Sequence, residues 1–590
     1  MLENNNYFIN DILKKYLIPT IIVLLEVSSI AFYNTLIVGK MLGKDALAVM
    51  SLTSSFSFLY YMFGCLINIG AAIAASVALG QNDLKKVGKY ERFAFISSVV
   101  IPVLISVLLL IFMEPVMTLL GADSALYEFS KVYVQITLAL GFVYCLMYFP
   151  FNFLRVDGRS KTATGVFALM AVLDYVSVYV VLKAGLGLTG VGFASMISAL
   201  IADVVGILFL CFGKNRQITM ERVSLNEIFP MAKEVFELGS SSGLNNFWNM
   251  LRTMMLNKMV VGAFGTDGLA MFAVACSVIN LTNATTLGIG QTAAPLIGVF
   301  YGERDNKSIQ TLMKSGTKYS IAIHTVLFIL LFMFASAVAG AFGITEDLNQ
   351  DCVRLIRWTA LGLISSGVVN LYISAYASLK RVVISNFLTF FRAFGFVTLI
   401  TSLLVKGPFG DYYITSFMWA DLWTIGLMFL LSYFVQKRDK NIYGILMLDR
   451  RMDEGSFLAF SVSADKNSGA MAAERISAFC DENDLSPKLT MGIPLAVEEI
   501  ISVMSEHCLG NDSSKFSDVR IFKNDDDVLV RVRCGGAVFD PMEWYLEKKE
   551  KLSPEELLED PSLGIKLLND YAKDITFSRT FGVNNLVAVL

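Results

Sequence analysis

The stretch "NTLIVGKMLGKDALAV", from Asn34 to Val49, is echoed by "NKMVVGAFGTDGLAMF", from Asn257 to Phe272. Farther along, "LGQND" (Leu79–Asp83) matches "YGERD" (Tyr301–Asp305), and Ala202-Asp203 matches Ala420-Asp421 in similar surroundings. The matches keep nearly one offset across about two hundred residues, so the chain is built of two halves of one design. Composition says where the halves live. Of 590 residues, 55% are hydrophobic and 17% charged, with mean hydropathy +0.59. Soluble domains hold roughly 45–50% apolar and about 25% charged residues, so the excess must lie in lipid. The formal charge of -3 supplies no basic excess for a nucleic-acid partner. Eight cysteines are scattered without a CxxC pair and read as small buried hydrophobes. With only His324 and His507, a His-rich metal site is excluded, and no metal is expected.

A bilayer-crossing helix needs about 20 mostly apolar residues. Such runs fall near 17–38, 47–79, 93–113, 132–154, 163–184 and 189–212, then near 236–262, 269–300, 317–342, 355–378, 383–404 and 412–435. The expected fold is therefore an all-α polytopic membrane protein. Twelve transmembrane helices form two six-helix lobes, residues 1–222 and 223–440, followed by a linker, 441–454, and a small cytoplasmic α/β domain, 455–590. Lys and Arg gather in alternate loops (Lys85, Lys86, Lys89 and Arg92; Arg155, Arg159 and Lys161; Arg304, Lys307, Lys314 and Lys318). Basic loops stay on the cytoplasmic side, which puts both termini inside the cell and the chain in the plasma membrane. Two like-oriented halves with a site between them are the build of a secondary transporter, not of an enzyme.

Ionisable groups inside a bilayer are costly and by default mark a pathway. Asp174 sits in "MAVLDYVSVYV", and Glu26 lies two helical turns before Asn34 on the same helix face. Asn249 is the repeat partner of Glu26. Asp203 and Asp421 occupy equivalent places in the two halves, which suits packing or capping as well as ion binding. Arg252, Lys258 and Arg392 are expected to pair with acids or to snorkel to an interface. His324, alone on an apolar helix, reads as a satisfied core histidine. Tyr60, with Phe56, Phe58 and Tyr61, is a candidate for lining a cation-binding cavity, against the alternative that these rings face lipid or helix neighbours. Pro295 is expected to kink its helix.

Three motifs now carry a resemblance: "YNTLIVGKMLG" in the first crossing, "VLDYVSVYV" in the fifth and "GIGQTAAPLIGVFYGERD" in the eighth. Together they resemble the multidrug and toxic compound extrusion (MATE) family over residues 1 to about 440. The resemblance implies two lobes forming a V around a central cavity. It also implies export of organic, often cationic or amphiphilic, compounds against inward H+ or Na+. Asp174 matches the family's acid in the first lobe. Many relatives have an acid where this chain has Asn34, which cannot take up a proton, and Glu26 is the candidate to replace it. The expected ion-coupling set is Asp174, Asn34, Glu26, Asp203 and Asp421, with Asn249, Gln291 and Tyr60 toward the substrate cavity.

After about Gly455 the composition turns polar, and strand and helix patterns alternate. "LAVEEIISVMSEH", "RCGGAVFDP" and "LGIKLL", in that order, resemble the ATPase-like domain of anti-sigma factor kinases and histidine kinases. The family's Glu-x-x-x-Asn falls on Glu499 and Val503, and its adenine-recognising acid falls on Cys534, a poor acceptor. What survives is Glu499, Gly536, Asp540 and Gly564. ATP binding is therefore doubtful, no cofactor is expected, and the domain reads as a regulatory module for a cytoplasmic protein partner. Two alternatives stand beside small-compound export. One is a lipid-linked sugar flippase, which would need several cations for a pyrophosphate. The other is a membrane sensor signalling through its tail.

Overall fold

The computed structural model describes residues 6–590 except 43, 82, 120–123, 214–217, 342–345, 454, 466–467, 525–526, 552–562 and 581. Among the described residues, ten helices are long and apolar enough to cross a membrane, from Phe8–Leu42 to Gly410–Arg438. The expected seventh and eighth runs lie outside that count, on one 78-residue helix, Leu225–Gly302. Its backbone leaves the helical region at Gly265 (φ 64°, ψ -158°), a conformation that only glycine holds without strain. Pro295 lies within the same helix, so the break comes at the glycine rather than at the proline. The long second run is a helix, Lys44–Gly64, a π-helical turn, Cys65–Ile69, and a further helix, Gly70–Gly80.

The repeats have a structural meaning. In "LGQND" the Asp83 side chain accepts from the Lys86 N–H (3.0 Å) and caps the helix Leu84–Ile111. In "YGERD" Asp305 accepts from the Ser308 N–H (2.9 Å) at the start of the helix Asn306–Ala341. Left-handed Gly158 (φ 81°) and Lys380 (φ 58°) likewise precede the helices Ser160–Lys183 and Val382–Phe390.

The two halves meet backbone to backbone. A Cβ added at Gly80 would land on the Val299 carbonyl, and one at Gly302 on the Val77 carbonyl. A Cβ at Gly70 would land on the Val235 carbonyl, and one at Gly239 on the Leu66 carbonyl. In lipid, helices gain little from apolar burial against each other, so small residues that allow such close approach decide where they associate. This glycine seam ties the helix Gly70–Gly80, buried along its whole length, to both segments of the long helix.

The tail lies beyond the Gly80/Gly302 end of the seam. Strands β1 (Ile442–Tyr443) and β2 (Leu448–Asp449) form a hairpin seated on the membrane part. There the Tyr376 hydroxyl donates to the Ile445 carbonyl (2.6 Å), and Asn306 Nδ2 donates to the Asp449 carbonyl (2.9 Å). The connecting residues 441–454 thus include a docked hairpin. Then β3 (Ser456–Ser463), β4 (Phe516–Lys523), β5 (Val528–Cys534), β6 (Asp574–Thr580) and β7 (Val583–Val589) form an antiparallel sheet ordered β3-β4-β5-β7-β6. Val519, Ile521, Val530 and Val532 turn one face to the helices Ser468–Glu482, Pro487–Met504 and Leu563–Tyr571. Strand alternation sends Asp518, Arg520, Arg531 and Arg533 to the other face, yet all four are buried.

The seam makes a testable statement. Gly302→Ala should lower the thermal unfolding midpoint of the detergent-purified protein, with a cost of about 1–3 kcal/mol for overpacking. Gly165→Ala, where nothing lies within 4 Å, should not. Equal midpoints for the two variants would mean that the helices are not in backbone contact.

Candidate functional site

In the first half, the helices Asn6–Leu42, Ser160–Lys183 and Gly187–Phe212 converge on one polar pocket. Asp174 is only 2% exposed and shares this pocket with Asn34 and Ser195. Asn34 Nδ2 donates to Ser195 Oγ (3.2 Å). Asp174 Oδ2 and Asn34 Oδ1 are buried and make no hydrogen bond. Tyr33 and Tyr175 close one side, with ring centroids 4.7 Å apart and the Tyr33 hydroxyl donating to the Tyr175 carbonyl (3.2 Å). The arrangement is a carboxylate with free coordination capacity beside an amide oxygen and a hydroxyl, the ligand types that a proton or a hard cation takes. Glu26 lies eight residues earlier, about 12 Å along the helix, half-buried and with Oε2 unpaired.

The second half is built differently. Arg392, on a π-helical turn at Phe391–Gly395, donates from Nε to Asp421 Oδ1 (2.7 Å), from Nη1 to Asn370 Oδ1 (3.2 Å) and from Nη2 to Ser366 Oγ (2.6 Å). The expected pairing of this arginine with an acid is what the structure has. The repeat counterpart of Asp421, Asp203, has no hydrogen-bond or ion-pair partner among the described residues. Asp203 and Asp421 therefore do different things. Arg252 and Asn249 line the same cavity as Arg392.

Two other expectations for the cavity fall elsewhere. Tyr60 is buried between helices, its hydroxyl 2.7 Å from Ser106 Oγ, packed with Phe56, Met113 and Leu138, and so is core rather than lining. Gln291 is half-buried, and its backbone carbonyl accepts from Arg155 Nη2 (3.0 Å). His324 is a satisfied core residue, with Nδ1 2.7 Å from the Ser320 carbonyl.

A site that the sequence reading missed joins the tail to both halves. Glu303 Oε2 receives Arg531 (2.8 Å) and Arg533 (2.9 Å), while Arg520 pairs with Asp305. Arg533 also pairs with Asp518 (2.6 Å) and stacks on Phe8 of the first helix and Phe300 of the long helix, at 5.2 and 5.8 Å. Burial alone would lower the Arg533 pKa, but the carboxylates of Asp518, Glu303 and Asp305 outweigh it and hold the guanidinium above its ordinary value. Burial likewise works to raise Asp305, and Arg520 and Arg533 overcome it and keep the carboxyl below the usual range. The available signal was the alternation in "VRVRC", an arginine at every second place in a strand, beside the two acids of "YGERD".

In the tail, the residues expected of a nucleotide motif serve the fold. Glu499 Oε2 accepts from the Ile565 N–H (2.9 Å) at the start of the helix Leu563–Tyr571. Gly564 lets that helix lie on the backbone at Leu495. Asp540 accepts from the Met542 N–H (2.8 Å) and caps the helix Pro541–Lys551. Gly536 (φ 94°) sits on the Cys508 carbonyl. Cys534 is buried beside Cys508, with Asn584 Nδ2 3.3 Å from the Cys508 sulfur and 3.8 Å from that of Cys534. Val503 is half-buried.

The MatE family profile matches residues 19–180 and 242–402, one stretch in each half and more than half of the chain. The chain belongs to the MatE family. The probable multidrug resistance protein YoeA of Bacillus subtilis is 24% identical over 336 residues, covering 55% of this chain and 71% of that protein. The multidrug export protein MepA of Staphylococcus haemolyticus is 22% identical over 350 residues, covering 57% and 74%. A solved structure described as the outward-facing conformation of a multidrug resistance MATE family transporter of the MOP superfamily superposes with TM-score 0.68 at 19% identity. It covers 73% of this chain and 97% of that one. This is accordingly a multi-pass membrane protein of a transporter family, and the family match stops short of the tail.

The docked tail of this MatE protein depends on Glu303. Glu303→Gln removes the charge that two buried arginines share, and breaking such a pair costs about 3–5 kcal/mol. Amide hydrogen exchange along β4 and β5 should rise in the full-length variant while the transmembrane helices keep their protection. Unchanged exchange would mean that the sheet is held by its apolar contacts alone.

Proposed function

We propose that this chain is a plasma-membrane antiporter that exports small organic compounds in exchange for H+ or Na+ by alternating access between two six-helix lobes. The two segments of Leu225–Gly302 on either side of Gly265 complete the count of twelve crossings. Both termini are cytoplasmic, in keeping with the basic loops. The observation that carries the reading is the Asp174 pocket: a buried carboxylate with a free oxygen, beside Asn34 and Ser195, in a lobe that must change its exposure. A charge so placed is costly in the bilayer, and a bound cation or proton relieves that cost. The names of MepA, a multidrug export protein, and of YoeA, a probable multidrug resistance protein, support export as the direction. The glycine seam closes the tail-facing side, which supports a state open to the outside.

The tail is a regulatory module in this reading. It has given up its magnesium amide and adenine acid at Val503 and Cys534, and Glu499 holds a backbone N–H instead. Through Arg533 it touches Phe8 in one lobe and Glu303 in the other, which supports a brake on their separation, released by a cytoplasmic partner. Titration of the full-length protein with Mg-ATP should give no magnesium-dependent binding. Micromolar, magnesium-dependent affinity would overturn this view of the tail.

Asp174→Asn tests the transport reading. The amide keeps the size and loses the charge, so folded, detergent-extractable protein should be obtained at wild-type yield. Everted vesicles carrying it should lose drug uptake driven by a proton or sodium gradient. Wild-type uptake by the folded variant would remove Asp174 from coupling and make Glu26 the next acid to test. Loss of folded protein instead would assign Asp174 to helix packing.

A further inference from the structure

We infer that the cavity of the second lobe binds the anionic head group, a carboxylate or a phosphate, of the exported compound. The inference rests on the transporter reading above and names the class of substrate for it. The cavity, about 670 Å³ including its opening to solvent, lies between the long helix, the helix Leu363–Ser378, the π-helical turn Phe391–Gly395 and the helices Phe396–Lys406 and Ser416–Arg438. Its charged lining is two arginines, Arg252 and Arg392, against one carboxylate, Asp421.

Hydrogen bonding decides which charge is left over. Arg392 uses its fork on Asp421, Asn370 Oδ1 and Ser366, so that cation is fully engaged. By accepting from Arg392, Asn370 Oδ1 fixes the orientation of its amide. Asn370 Nδ2, on a side chain 7% exposed, is then a buried donor with no acceptor. Arg252 has five N–H donors to place. It has the Ala393 carbonyl at 3.4 Å and the face of Phe417 at 4.9 Å, and no carboxylate within ion-pair distance among the described residues. Both unsatisfied functions are donors and one is cationic. A desolvated donor or cation left so is unfavourable, and a ligand that accepts hydrogen bonds and carries negative charge relieves both at once. A guanidinium matches carboxylate and phosphate oxygens in a bidentate fork. Ile279, Leu287 and Val397 supply apolar wall for the body of the molecule, so the fit is an amphiphilic organic anion rather than a bare inorganic ion. An organic cation entering here would meet net positive charge. Asp174, a carboxylate with one unpaired oxygen, is in the other lobe.

The test uses the full-length protein in detergent and three probes of one shape: 2-naphthoate, 1-naphthyl phosphate and 2-naphthylmethylammonium. Equilibrium dialysis should show saturable binding of one or both anions, the tighter one naming the head group, and weaker binding of the ammonium probe. Arg252→Gln should weaken anion binding at least tenfold. Asn370→Asp, nearly isosteric, cancels the excess charge without emptying the cavity and should do the same should Arg252→Gln not fold. Tighter binding of the ammonium probe, or anion affinity unmoved by the folded variants, overturns the assignment. Gradient-driven uptake of ethidium into everted vesicles keeps the two readings apart. Uptake without anion binding overturns the pocket and leaves the transporter. Anion binding without gradient-driven uptake of either ethidium or the naphthyl anions supports the pocket and removes the transporter.

Discussion

Two helices that touch without side chains between them set the arrangement of this molecule. At Gly80 and Gly302, and again at Gly70 and Gly239, carbonyl oxygens occupy the space that a Cβ would fill. A contact of that kind tolerates no insertion and little sliding, so it fixes how the first half lies against the second. It also fixes where the tail can dock. Glu303 comes directly after Gly302, and Asp305 caps the next helix. The acids that hold the tail therefore sit at the end of the very helix whose approach closes the seam. Arg533 touches both Glu303, next to the seam, and Phe8 of the first helix, so the tail spans the two halves at this end.

The tail shows how a two-layer sheet is reused. One face keeps an ordinary apolar core against helices, and the other has arginines where a free domain would present water-facing residues. Desolvating three guanidinium groups is unfavourable unless carboxylates meet them, and Glu303, Asp305 and Asp518 do. Of the residues expected for a nucleotide motif, Glu499, Asp540, Gly536 and Gly564 serve as backbone acceptors, a cap and close-packing glycines, and Val503 and Cys534 stand where such a motif would need polar ligands.

Much of the membrane architecture was legible because lipid imposes long apolar runs and the duplication repeats its signals. The caps at Asp83 and Asp305 show why "LGQND" and "YGERD" look alike. Asp174 stood out as a lone acid among Val, Leu and Tyr, and the structure gives it Asn34 and Ser195 for neighbours. What stayed hidden depends on distance in sequence. Nothing near Arg392 announces Asn370 or Ser366, and Glu303, the partner that Arg531 and Arg533 share, lies more than two hundred residues away. The break at Gly265 falls in the gap between the apolar runs near 236–262 and 269–300, where the sequence reading separates two crossings. Tyr60 misled because an aromatic run has the same composition whether it lines a cavity or packs between helices.

The β1–β2 hairpin, pinned through Ile445 and Asp449, leaves only a short span before β3 begins at Ser456. Such a tether gives the sheet an effective concentration at its own docking surface on the order of millimolar or more. A soluble competitor for Glu303 and Asp305 works against that figure and not against the bare strength of the contacts. On the proposed regulatory role, the tether would set a threshold: a weak or scarce partner would leave the tail seated, and only an abundant or tightly binding one would displace it.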